Sequence, residues 1–203
     1  VKITLIGGSQ GSGAELASLA RAAGHHVTVV TRGGTAPSAD RIIAGDATDP
    51  TVAADAVTGA DAVVVTVGGA KGVSNHRAAV TRAVTKAMQG AGTRRLIVQS
   101  SLGAGGSAAQ LPGLLGLITK LLLAKPLADH NEQERAVFDS GLDWTVVRPT
   151  GLTDKEPTGN WKAYEKREEG RLGGSVSRRD LAAYLLELLT EDSMVGRAVG
   201  ISN

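Results

Sequence analysis

Cysteine is absent from this 203-residue chain. Disulfide staples, thiolate nucleophiles and zinc–thiolate centres are therefore excluded. Aromatic side chains are scarce: two Trp, two Tyr and one Phe make up 2% of the residues. The core must then be built from Ala, Val, Leu and Ile, and a stacking platform for single-stranded nucleic acid is disfavoured. A dominant sign of charge is lacking as well. The formal net charge is +2 despite a pI near 9.1. The basic residues are spread rather than blocked, which argues against a nucleic-acid partner. No long apolar run is uninterrupted. The most apolar segment, 111–127, is broken by Pro112, Lys120, Lys125 and Pro126. A membrane span needs about 20 predominantly apolar residues, so no membrane partner is expected. The opening Val1-Lys2-Ile3-Thr4-Leu5-Ile6 reads as a buried strand rather than a signal peptide, because glycines follow at once. A cytoplasmic location is the default expectation.

Hydrophobic residues, at 42%, suit an ordinary globular chain. The length fits one α/β domain over 1–203 with a substantial core. Strands are predicted over 2–6, 26–31, 41–44, 62–67, 95–99 and 144–148. These are near-continuous apolar runs, the pattern of parallel strands covered on both faces. Helical spacing falls between them. It is seen over 14–23 with Leu16, Leu19, Ala20 and Ala23, and over 74–89 with Val80, Ala83, Val84, Ala87 and Met88 inside and Arg77, Arg82 and Lys86 outside. A third helix is predicted near 128–140. Ser177-Arg178-Arg179-Asp180 has capping-box spacing ahead of Leu181, Leu185, Leu188 and Leu189. The alternation predicts a Rossmann-type, doubly wound parallel sheet. Two segments interrupt it, 102–127 and 151–174. Both follow late strands, on the edge where such sheets bind ligands. Substrate-side regions are accordingly expected at about 102–130 and 150–176.

The first strand runs directly into Gly7-Gly8-Ser9-Gln10-Gly11-Ser12-Gly13 and then a helix. Glycines allow a tight turn and close approach of backbone amides to a pyrophosphate. The helix start adds unpaired N–H groups. The alternative is a tight turn without a ligand. At the end of the second strand stand Thr31 and Arg32, where an NAD site carries a carboxylate for the ribose 2′-hydroxyl. A guanidinium there suits a 2′-phosphate, so NADP(H) is the expected cofactor; the alternative is a solvated surface arginine. Asp46, after Gly45, can accept from an adenine amine or simply hold a turn or cap the next helix. Gly68 and Gly69 after Val67 permit close approach to a ribose or form a plain turn.

These features resemble an atypical short-chain dehydrogenase/reductase. They are similar to the NmrA-like group and to the flavin reductase/biliverdin-IXβ reductase family. The resemblance is carried by the glycine turn, Thr31-Arg32, Gly45-Asp46, Asp61-Ala62-Val63, Ser100-Ser101 and Asp129-His130. Ser140-Gly141-Leu142-Asp143-Trp144-Thr145-Val146-Val147-Arg148-Pro149 is its most specific part, and Ser177-Arg178-Arg179-Asp180 completes it. It implies an NADP-bound Rossmann domain with the substrate beside the nicotinamide. Gly7, Ser9, Gln10, Gly11 and Ser12 would then line the pyrophosphate. Arg32, beside Thr31, would hold the 2′-phosphate, and Asp46 and Ala47 the adenine. Thr66, Val67 and Gly68 would border the ribose. Gln99, Ser100, Ser101, Pro149, Thr150 and Gly151 would surround the nicotinamide. The family order G-A-T-G-x-x-G is not kept, because Gln10 holds the middle glycine position and glycine moves to Gly11. A remodelled turn is expected.

The Tyr-x-x-x-Lys pair of most short-chain dehydrogenases is missing: Tyr164 is followed four residues on by Glu168, and Tyr184 by Leu188. Alcohol–ketone interconversion is disfavoured. The resemblance leaves two candidate catalytic residues. Ser101 either bonds a carbonyl or flavin edge or caps the backbone after the fifth strand. His130 either donates a proton or holds an anion, or faces solvent at a helix start. His25 and His26 are read as solvent-facing loop residues, and Glu134 and Arg135 as helix surface. No metal site is expected. The segment 114–127 forms an apolar pocket wall, a core helix or a dimer contact. The leading expectation is an NADPH-dependent reductase of a flat conjugated acceptor such as a flavin, quinone or tetrapyrrole. It would be a monomer or homodimer. A non-catalytic NADP-binding sensor of the NmrA-like type is the alternative. A nucleotide-sugar epimerase is weaker, since that chemistry relies on the missing tyrosine.

Overall fold

The computed structural model describes residues 1–70, 72–107, 124–165 and 169–203. Much of the 102–127 segment, including most of the expected apolar wall at 114–127, lies outside the described residues, as does Glu168. The order of elements is β1 (Lys2–Ile6), α1 (Gly11–Ala22), β2 (His26–Thr31), β3 (Arg41–Ala44), α2 (Pro50–Val57), β4 (Ala62–Val65), α3 (His76–Ala91) and β5 (Arg95–Gln99). There follow β6 (Leu102–Gly105), α4 (Ala124–Phe138), β7 (Asp143–Pro149), β8 (Gly151–Thr153), β9 (Lys162–Tyr164), β10 (Ser175–Ser177), α5 (Arg178–Glu187) and β11 (Arg197–Ser202).

Eight strands form one sheet in the order β3-β2-β1-β4-β5-β7-β11-β9, parallel except for β9 against β11. The order reverses between β1 and β4, which is the topological switch point of a Rossmann fold. A small parallel ribbon, β8 with β10, stands beside it.

Alternation along each strand divides the core. Ile3, Leu5, Val27, Val29 and Val64 face α1 and α5, while Ile6, Val30, Val63 and Val65 face α2 and α3. All are nearly or fully buried. Each such aliphatic side chain contributes roughly 1.5–3 kcal/mol on leaving water. Because both faces are covered, β4 reads Ala62-Val63-Val64-Val65 without a polar break.

Helix starts show how local and distant groups share the capping work. Asp49 caps α2, accepting from Thr51 N at 2.8 Å, with Pro50 at the first helical position. Ser177 Oγ accepts from Asp180 N at 3.0 Å and donates to Asp180 Oδ2 at 2.9 Å. The reciprocal arm of a capping box is replaced, because Ser177 N donates to Asn203 Oδ1 at 2.8 Å. α3 has no side-chain cap of its own; Asn75 stands before it in the left-handed region, at φ 55°. Its first amides, on Arg77 and Ala78, donate instead to Asp129 of α4. Arg77 is therefore not on an outer face: its guanidinium also reaches Asp129, at 3.2 Å. His26 opens β2 and is exposed, and His25 is half-buried beside it.

Candidate cofactor site

A cleft of about 690 Å³ opens across the carboxyl ends of β1 to β5. Its floor is the glycine turn. Gly7 has φ +95°, and a Cβ there would lie 3.0 Å from Val67 N. The middle position does not need a glycine. Gln10 is extended, at φ −148°, and the positive φ of +56° falls on Gly11. The displaced glycine sits where the left-handed conformation occurs. Gly13 lets α1 seat against β1 and β4, since a Cβ would come within 2.5 Å of both Gly7 O and Thr66 Oγ1. The Gln10 side chain does not cap α1, so among the described residues its first amides are available to an anion.

The two serines of the turn are held by neighbours. Ser12 Oγ donates to Gln99 Oε1 at 2.5 Å, tying the helix start to the end of β5. Thr31 Oγ1 donates to Ser9 Oγ at 3.1 Å and accepts from Gly33 N at 3.2 Å. Next to them Arg32 is exposed and makes no hydrogen bond or ion pair with a described residue. Asp46 Oδ1 accepts from both the amide and the hydroxyl of Thr48 at 2.9 Å. The Thr48 amide is the main reason its carboxyl is held below the usual carboxylate range. The cap of α2 is Asp49, not Asp46.

The cleft brings together Gly7, Ser9, Gln10, Gly11, Ser12, Thr31, Arg32, Asp46, Ala47, Thr66, Val67, Gly68 and Gln99. Gly33, Thr35, His76, Leu152, Asp154 and Arg178 also line it, and none of them was expected at the cofactor from the sequence. Arg178 lay within a recognised motif, but nothing local said that the chain returns over the glycine turn. Pro149, Thr150 and Gly151, at the end of β7 and the start of β8, are not among the residues that line it. Ser100 is buried and turned away, donating to Glu134 Oε1 at 2.7 Å. Ser101 is half-buried, its hydroxyl 3.4 Å from Leu102 O.

Besides Arg77, Glu134 stands differently from its sequence reading, and one of the two readings of His130 is excluded. Glu134 is not on the helix surface: it is 1% exposed and paired with Arg148. His130 does not face solvent either. It is buried within α4, with Nδ1 3.1 Å from Gln133 Oε1. Burial, assisted by the Arg77 charge, pulls its pKa down to about 4, so the imidazole is neutral at pH 7. Tyr184 packs in the core beside Trp161, and burial pushes its phenol up to about 12. Among the described residues no cluster of His, Asp and Glu could hold a metal. No helix among them is long and apolar enough to cross a membrane.

A shallower hollow of about 850 Å³ lies at the opposite edge, near Asp61, Arg94 and Asp143 at the amino ends of β4, β5 and β7. It has neither a glycine turn nor a free helix start, and ligands of such sheets bind at the carboxyl ends. The first cleft is therefore the candidate cofactor site.

A doubly wound sheet, a glycine turn opening the first helix and a cleft at the switch point together define a Rossmann-type dinucleotide-binding protein. The chain belongs to the NAD(P)H-binding family, whose model matches residues 7–192. It is an NAD(P)H-dependent oxidoreductase. Among solved structures it is similar to ChuY, an anaerobilin reductase from Escherichia coli O157:H7. Identity is 27% and the TM-score 0.84, covering 100% of this chain and 97% of that one. ChuY from the E. coli CFT073 strain matches at 25% identity and TM-score 0.82, covering 100% and 96%. A short-chain dehydrogenase/reductase from Veillonella parvula in complex with NADP shares the fold at 19% identity and TM-score 0.84, covering 100% and 94%.

Proposed function

We propose that this protein is an NADPH-dependent reductase of a flat conjugated acceptor: a flavin, quinone or tetrapyrrole. The observation that carries the cofactor half is Arg32, an exposed guanidinium just after β2 with no hydrogen bond or ion pair among the described residues and no carboxylate in the place of the NAD-type acidic residue. The residues present fit a dinucleotide. The Gly7, Gly11 and Gly13 cradle leaves room for a pyrophosphate against the α1 amides, Arg32 meets the 2′-phosphate, and Asp46 and Ala47 border the adenine.

Gln99, Ser100 and Ser101 at the end of β5, with Pro149, Thr150 and Gly151 after β7, form the nicotinamide end in this reading. The reduced nicotinamide supplies a hydride. The chain's own residues bind, orient and keep the two rings stacked, which suffices for an acceptor that delocalises the incoming electrons. Ser101 orients a polar edge of the acceptor. His130, buried against Gln133 and neutral at neutral pH, is no imidazolium donor, so the acceptor takes its proton from water. The likeness to a chain described as an anaerobilin reductase favours the tetrapyrrole member of the acceptor class.

The test is NADPH oxidation by purified protein with a flavin, a quinone and a bilin offered in turn. Turnover with at least one is expected, fastest with the bilin. Tight NADPH binding with no turnover on any of the three would sink the reductase reading and favour a cofactor-sensing role.

A further inference from the structure

Arg178 is the first residue of α5, 171 positions from the start of the glycine turn in sequence but directly over it in space. A Cβ built on Gly11 would lie 3.5 Å from Arg178 Nε and 3.6 Å from its Cδ. The guanidinium is half-buried in the cofactor cleft, and its partner there is Asp154, with NH1 2.7 Å from Oδ1. That partner is weakly held: the Asp154 side chain is 87% exposed. Asp180 makes a useful contrast two residues on. Its carboxylate is buried and accepts from Thr158 N, Gly159 N and Asn203 Nδ2 at 2.8–2.9 Å, which fixes the start of α5 in place. The backbone carrying Arg178 is thus rigid while its ion pair is not.

We propose that Arg178 is a pyrophosphate-binding residue, held by Asp154 until the dinucleotide arrives and then transferred to the phosphates. The proposal rests on the cofactor orientation given above, with the pyrophosphate at the glycine turn and the 2′-phosphate at Arg32. An exposed carboxylate pair is a weak competitor. A pyrophosphate brings more charge, and a pair of its oxygens can be matched by the planar guanidinium with two hydrogen bonds. It would also meet the α1 amides, which Gln10 leaves uncapped, so that cation and helix start act on the same group. Asp154 opposes binding twice, by occupying Arg178 and by repelling the incoming phosphates.

The test compares two ligands by calorimetry on the full chain: NADPH, and adenosine 2′-monophosphate, which has the Arg32 phosphate but no pyrophosphate. Arg178→Gln is expected to raise the Kd for NADPH about tenfold and leave that for adenosine 2′-monophosphate within about twofold. Asp154→Asn is expected to tighten NADPH about twofold to fivefold, the scale of an exposed ion pair. Binding of the monophosphate shows that the Arg178 variant is folded; should it be lost, Asp154→Asn keeps the arginine in place and decides alone. Unchanged NADPH binding in Arg178→Gln, or weaker NADPH binding in Asp154→Asn, overturns the proposal. Arg32→Gln tests the underlying orientation separately, since it must weaken both ligands; if it weakens neither, the orientation fails whatever Arg178 does.

Discussion

Glu134 and Arg148 form a buried, two-bond ion pair beneath the end of β5, with Nε 2.9 Å from Oε1 and NH2 2.7 Å from Oε2. Ser100 adds a third bond to the same carboxylate. Gly105 crosses directly over the pair, and a Cβ there would meet both Arg148 NH2 and Glu134 Oε2. One carboxylate thus joins α4 to β7 and the chain after β5, the two segments that build the nicotinamide end in the reading above.

Removing one member leaves the other charged and buried. Glu134→Ala is expected to cost about 3–5 kcal/mol of stability, well above a surface substitution. Urea unfolding of Glu134→Ala, Arg148→Ala and the double variant checks this. The double variant should lose less than the sum of the two singles, because the second substitution removes a charge already stranded.

Gly13→Ala tests the seat of α1. The added methyl must displace Gly7 O or Thr66 Oγ1, both 2.5 Å away, and neither is the end of a flexible side chain free to swing out. A loss of about 1–3 kcal/mol is expected, the range for overpacking. NADPH affinity should fall with it, since the shift moves the α1 amides. Wild-type stability together with wild-type affinity would contradict the geometry.

Arg32→Ala separates the two nicotinamide cofactors. NADPH binding should weaken by about ten- to a hundredfold, the worth of one charged hydrogen-bonding partner. NADH binding should change little. A wild-type protein that binds NADH more tightly than NADPH would disprove the assignment before any variant is made.

The depressed pKa of His130 has a definite sign. The folded state resists protonating this ring until about pH 4, whereas an unfolded chain takes up the proton near 6.5. The stabilising contribution is complete above about pH 6.5 and is lost progressively as pH falls towards 4. Stability curves for the wild type and His130→Gln should therefore converge between those limits on acidification. The kcat profile should carry no neutral-pH limb from an imidazolium at this position. Such a limb, abolished in His130→Gln, would restore His130 as the proton donor.

The same contrast of local and distant causes governs what was readable in advance. β1, β2, β3 and β5 have the predicted bounds, because short β-branched and apolar runs ended by polar or glycine residues leave little choice of register. β4 ends at Val65, two residues short of the predicted strand, since the backbone leaves the sheet where the cleft opens. α1 begins at Gly11, three residues early, because an extended Gln10 lets the helix start within the glycine turn. β11 carried no expectation: its run is interrupted by Gly200, and its place is set by pairing with β7 on one side and β9 on the other.

By itself, the sequence determined six strands of the sheet, its doubly wound class and the glycine turn with Arg32 beside it. These follow from steric preference and periodicity within a few neighbouring residues. Only the tertiary structure decided the fate of the charges. Glu134 and Arg148 are 14 residues apart, Asp129 caps a helix that begins 53 residues earlier, and Arg178 returns to Gly11 from the far end of the chain. Whether a charged side chain is solvated, paired or poised over a ligand depends on which distant segment lies opposite it. A pattern of nearby residues carries no record of that.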